Sequence, residues 1–90
     1  MYILVHHEVH DAERFWAAAE KAIPQIPEGV QLHQTIPAKD GTRATCLWEA
    51  DSVERVKEIL EPAVGDVATN RYAEAENREG MAMPSKVNSE

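Results

Sequence analysis

The sequence predicts an α+β domain with the ferredoxin-like order β-α-β-β-α-β, a four-stranded antiparallel sheet with two helices on one face. Three observations predict it. Residues 44–56 run from an apolar strand, Ala44-Thr45-Cys46-Leu47-Trp48-Glu49-Ala50, straight into a helix that starts near Asp51-Ser52. An Asp40-Gly41 pair joins two strand-like runs, a strong hairpin signal. Each of the two outer strand-like stretches is separated from that hairpin by one amphipathic helical stretch.

Tyr2 to Val9 is a strand by its β-branched and aromatic content, with Ile3, Val5, His7 and Val9 on one face and Tyr2, Leu4, His6 and Glu8 on the other. Asp11 is placed to cap the helix that follows. Phe15, Ala18, Ala19, Ala22 and Ile23 form its apolar stripe, and Pro24 stops it. Val30 to Ile36 is the second strand, with Val30, Leu32 and Ile36 facing one way and Gln31, His33 and Thr35 the other. Thr42 to Ala50 is the third, with Ala44, Cys46, Trp48 and Ala50 on one face and Arg43, Thr45, Leu47 and Glu49 on the other. The second helix is expected from about Ser52 to Glu61, with Val53, Val56, Leu60 and Val64 on its stripe and Pro62 and Gly65 ending it. Asp51 and Glu54 have capping-box spacing. Thr69 to Glu76 is the weakest strand, with Ala73 and Ala75 on the helix face and Tyr72 and Glu74 on the open face. Residues 1–79 read as one domain, and residues 80–90, poor in core formers, as a tail.

Composition narrows the function classes. The 90 residues carry 16 acidic and 9 basic side chains, a net charge of −7. That balance disfavours a nucleic-acid partner, which needs clustered Lys and Arg, and an anionic membrane surface. No apolar run approaches membrane-spanning length, and the N-terminus lacks signal-peptide character. The single Cys46 has no internal disulfide partner, so a cytoplasmic setting is the default expectation. The helix-covered face is expected to carry Ile3, Val5, Val30, Leu32, Cys46 and Trp48. Leu4, Leu47 and Tyr72 would then sit on a face no helix covers, where a second copy could pair with them.

The element order, with Cys46-Leu47-Trp48-Glu49-Ala50-Asp51-Ser52 after a hairpin containing Gly41, resembles the dimeric α+β barrel superfamily. Within it, small members similar to nickel-binding ferredoxin-like proteins carry a like Cys-aliphatic-aromatic-Glu-Ala strand end. The resemblance covers most of residues 1–78. It implies a homodimer whose open sheet faces meet around a cavity. The superfamily hosts cofactor-free monooxygenases, haem-degrading enzymes, isomerases, stress-responsive proteins and metal binders, so fold alone does not choose an activity. The resulting expectation is a small homodimeric protein that binds a small molecule or a divalent transition metal, nickel-like, in or near the dimer cavity. The alternative is a cofactor-free monooxygenase or isomerase with a cavity histidine as base.

Two residue sets carry these readings. His33 lies mid-strand on the open face, and with His6 it could serve as general base, since imidazole titrates near neutral pH. Glu49 and Tyr72 could complete that site. The plainer reading is that His33 hydrogen-bonds within a wet dimer interface. His6, Glu8 and His10 form the candidate metal set, because imidazole and carboxylate suit nickel, zinc or copper. His6 and Glu8 lie about 6.6–6.8 Å apart along an extended strand, close enough to lean toward one ion, while His7 points to the other face. Cys46 and Trp48 read as core, and a one-residue slip in register would turn both to the opposite face.

Overall fold

The alternation of Ile3, Val5 and His7 with Leu4, His6 and Glu8 makes the first strand two-faced, and such a strand belongs where another layer can cover its apolar face. The computed structural model describes residues 1–80 and places it there. The elements are β1 (Tyr2–Val9), α1 (Ala12–Ala22), β2 (Gln31–Pro37), β3 (Arg43–Glu49), α2 (Val53–Val64) and β4 (Ala68–Ala75), with 3-10 turns at Ile23–Gln25 and Arg78–Gly80. The strands form one antiparallel sheet in the order β2-β3-β1-β4. This is the ferredoxin-like arrangement. Most of the tail expected over residues 80–90 lies outside the described residues.

Both helices pack on one face of the sheet. Ile3 and Val5 from β1 and Val56 from α2 are fully enclosed there, with Phe15, Trp48 and Leu60 around them. Each fully buried aliphatic or aromatic side chain contributes roughly 1.5–3 kcal/mol relative to exposure. The face assigned to Ala44, Cys46, Trp48 and Ala50 is the helix face, as expected, and all four are buried.

Helix ends follow local chemistry. Asp11 accepts a hydrogen bond from the Arg14 N–H at 3.1 Å and starts α1. At α2 the cap is Ser52, whose hydroxyl accepts from the Arg55 N–H at 3.2 Å. The cap is therefore one residue beyond Asp51, and the capping box expected from Asp51 and Glu54 does not form, because the third residue after Ser52 is Arg55. A serine one position further along has the extended backbone that a cap requires, with φ −158° and ψ 158°. Ser52→Ala is expected to cost about 1 kcal/mol in urea unfolding, and an unchanged midpoint would contradict this capping role. Pro62 does not end α2, which continues to Val64. Val64 is buried against the sheet, and that burial offsets the hydrogen bond lost at the proline.

The β2–β3 connection closes as predicted. Gly41 has φ 80°, a left-handed value that favours glycine, and the Asp40 carboxylate accepts from the Thr42 N–H at 3.0 Å and hydroxyl at 2.7 Å. Two face assignments change. In β2 the register shifts between Leu32 and Gln34, so one extra residue sits in the strand. Beyond it Thr35 turns to the helix face beside Cys46, and Ile36 turns outward. In β4, Tyr72 pairs with Val5 while Ala73 and Ala75 pair with Leu4 and Tyr2. Tyr72 is therefore on the helix side and the two alanines are on the open face. The antiparallel register to β1, rather than alanine's mild apolarity, decides the matter.

Candidate functional site

The helix face holds a cavity. It lies between α1, α2 and the sheet, with about 80 Å³ open to the centre of a water molecule. A single water needs roughly 10–15 Å³ on that measure. Its walls are mainly apolar: Phe15, Trp16, Ile26, Leu32, Trp48, Leu60 and Val64 contribute, with Cys46 and Thr35 from the sheet. The alanines of α1 leave the room. Ala19 and Ala22 stand on the cavity wall where a larger side chain would fill it.

One titratable ring reaches this cavity from the middle of the sheet. His7 is 2% exposed and is the buried polar residue among the described residues. Its ring packs edge-on to Phe15 with centroids 5.2 Å apart. Its Nδ1 is 2.6 Å from Asn70 Oδ1 on β4. Asn70 in turn donates from Nδ2 to Glu61 Oε2 on α2 at 3.0 Å, and the Tyr72 hydroxyl donates to the same carboxylate oxygen. Lys57 lies over the Tyr72 ring, 5.3 Å from its centroid. Burial pushes the His7 pKa below its ordinary value of 6.5, only partly offset by the Asn70 hydrogen bond, so the ring is neutral at neutral pH. The hydrogen bonds from Tyr72 and Asn70 hold the Glu61 carboxyl below its usual range. Burial, reinforced by Glu61, pushes the Tyr72 hydroxyl up, so it stays protonated.

Glu20, Thr35, Cys46 and Trp48 are lining residues that also carry polar groups. The Trp48 indole N–H is buried with no hydrogen-bond partner among the described residues. Cys46 Sγ lies 3.7 Å from Thr35 Oγ1, and burial raises its pKa, so it is a thiol rather than a thiolate nucleophile.

A solved structure shares this fold. A chain from Nitrosomonas europaea, provisionally described as an antibiotic biosynthesis monooxygenase, superposes with a TM-score of 0.58 at 13% identity, covering 81% of this chain and 94% of that one. At that identity the likeness is one of fold. No protein-family model matches the chain, and no curated protein matches it in sequence.

The residues named from sequence lie elsewhere or apart. His33, in the β2 bulge, is on the open face as expected, with Nε2 2.8 Å from Glu49 Oε1 and its ring 5.8 Å from that of Tyr2. His6 is on the same face but bonds Thr45 Oγ1 at 3.2 Å, four residues further along β1 than Tyr2, or roughly 13 Å at the rise of a strand. Tyr72 is on the other side of the sheet altogether. The proposed set of His33, His6 and Tyr72 is thus not assembled, because the β4 register removes Tyr72 and strand length separates the histidines.

The metal set is not assembled either. His10 Nε2 bonds Thr69 Oγ1 at 2.7 Å, and Glu8 lies 3.8 Å from Arg71. Among the described residues no three His, Cys, Asp or Glu side chains are placed to hold a metal ion. No helix among them is long and apolar enough to cross a membrane. His7 is the residue that sequence reasoning set aside. Its signal was present: a histidine at an inward position between Val5 and Val9 must be hydrogen-bonded, since a buried polar group without a partner is costly.

Proposed function

We propose that the chain binds a flat, mainly apolar, enolisable molecule in the cavity between helices and sheet, and takes a proton from it with His7 as general base. The observation that carries this reading is His7 itself, a buried neutral imidazole on the wall of a mainly apolar cavity, with one nitrogen held by Asn70 at 2.6 Å. A general base works best when its pKa lies near the working pH and its orientation is fixed. Trp48 lines the same cavity, and its indole N–H, without a hydrogen-bond partner among the described residues, is the donor this reading assigns to the oxygen on which enolate charge develops. An enolate is electron-rich enough to react with dioxygen or to be reprotonated at another carbon. The same base step therefore serves a cofactor-free oxygenase and an isomerase. The description of the Nitrosomonas europaea neighbour weakly favours the first.

The test uses 2-tetralone, a two-ring enolisable ketone, in deuterated buffer, with exchange of its α-protons followed by NMR. Exchange well above the buffer rate that disappears in His7→Gln supports the reading. Exchange at the buffer rate, or equal exchange in the variant, contradicts it.

We propose further that the open face of the sheet is covered by a second copy of the chain. Leu4 is 43% exposed and Ile36 59% exposed on that face, on either side of buried Leu47. Both helices are on the opposite side, so no element among the described residues covers these side chains. Sedimentation at micromolar concentration is expected to give a species of about twice 10.1 kDa. Leu4→Glu with Ile36→Glu is expected to return it to the monomer mass, because like charges would face each other across the interface. A wild-type protein that sediments at the monomer mass would contradict the dimer.

A further inference from the structure

We propose that Glu61, on the solvent side of α2, determines which nitrogen of His7 carries its hydrogen, acting through Asn70. Only the functional consequence rests on His7 being a base; the tautomer does not. Each link in the chain has one direction. An ionised carboxylate only accepts hydrogen bonds, so Glu61 Oε2 takes the Asn70 amide group as a donor at 3.0 Å. That fixes the orientation of the Asn70 amide, which would otherwise be free to turn over. With its nitrogen committed to Glu61, Asn70 presents Oδ1 to His7, 2.6 Å from Nδ1. An amide oxygen accepts only, so Nδ1 bears the hydrogen and Nε2 keeps its lone pair. His7 lines the cavity whereas Asn70 and Glu61 do not. The basic nitrogen therefore belongs to the part of the ring that Asn70 leaves unoccupied.

The assignment matters because imidazole in water prefers the opposite tautomer, with hydrogen on Nε2. Left alone, His7 would offer the cavity a donor rather than a base. The Tyr72 hydroxyl, kept protonated by burial, adds a second donor on the same carboxylate oxygen and helps hold Glu61 ionised and in place. Glu61 is thus a positioning residue for His7, acting from outside the cavity across one amide.

Nitrogen-15 NMR of the ligand-free protein near pH 8, with the His7 ring assigned, tests this directly. In the wild type, Nδ1 is expected in the pyrrole-type range and Nε2 in the pyridine-type range. In Glu61→Ala, which removes an exposed side chain, Asn70 loses its fixed orientation. The Nε2 signal is then expected to move toward the pyrrole-type range. Tyr72→Phe leaves the Asn70–Glu61 bond in place, and the wild-type tautomer is expected to remain. A wild-type ring with hydrogen on Nε2, a Glu61→Ala spectrum identical to wild type, or a Tyr72→Phe shift as large as that of Glu61→Ala would each overturn the proposal. With 2-tetralone, Glu61→Ala is expected to lower kcat for exchange several-fold at unchanged KM. A tautomer change with no loss of exchange would refute the base reading and leave the assignment of Glu61 standing.

Discussion

His7→Gln is expected to slow α-proton exchange by roughly 10²–10⁴-fold, the usual contribution of a positioned general base. Glutamine keeps an amide that can donate toward Asn70 but has no basic nitrogen, so binding of the ketone should change far less than turnover. The pH profile follows from the same burial. His7 has its pKa lowered from 6.5, so the base is in its active neutral form at neutral pH, and exchange should fall off only below 6.5 as the ring protonates. Stability follows with the same sign. The folded pKa lies below the unfolded one, so protons favour the unfolded chain. The stability contributed by neutral His7 is fully present above 6.5 and is lost as pH falls from there through the lower folded value. His7→Gln should lack this part of the acid destabilisation, which urea unfolding across pH 4–8 would measure. An exchange rate in the variant equal to wild type would show that another group removes the proton.

Ile3→Ala is expected to have the largest effect on the fold, a loss of roughly 2–5 kcal/mol. Ile3 is fully buried at the centre of the sheet, with Trp48 opposite it on β3 and Glu74 on β4. The surrounding strands are tied by their ladders and cannot close on the space left behind. Domains of this kind have only about 5–15 kcal/mol in total. For a chain of this length each kcal/mol moves the thermal midpoint by roughly 4–8 °C, so a fall of about 8 °C or more by circular dichroism is expected. A change of a degree or two would mean that the helix face is not where the core lies. Loss of enolisable-ketone binding in Ile3→Ala at temperatures where it remains folded would extend the effect to the cavity, since Trp48 borders both.

The fold was legible because its signals are local. The hairpin at Asp40-Gly41, the alternation in β1 and β3, and the caps near Asp11 and Ser52 each depend on a few neighbouring residues. The errors came where a distant partner decides. The bulge at Leu32 and Gln34 adds one residue to β2 and reverses Thr35 and Ile36, and no feature of residues 30–36 alone announces it. The alanines of β4 suggest one phase, but its pairing with β1 places Tyr72 inward. That second error bears on the site, because it hid the connection from Tyr72 through Glu61 and Asn70 to His7. The clustered histidines mark the strand end, where His6, Glu8 and His10 are each engaged with different partners. The isolated His7 at an inward position was the more informative residue. A buried imidazole must have a reason, whereas an exposed cluster need not.

The most direct test of the cavity reading is where a ligand sits. Intermolecular nuclear Overhauser effects from bound 2-tetralone separate the two faces of the sheet, since the helix face and the open face share no side chains. Effects to the rings of Phe15 and Trp48 and the methyl groups of Leu32, Leu60 and Val64, with His7 ring protons among them, are the predicted result. Effects confined to Leu4, Ile36 and Leu47 would place the ligand on the open face and contradict it.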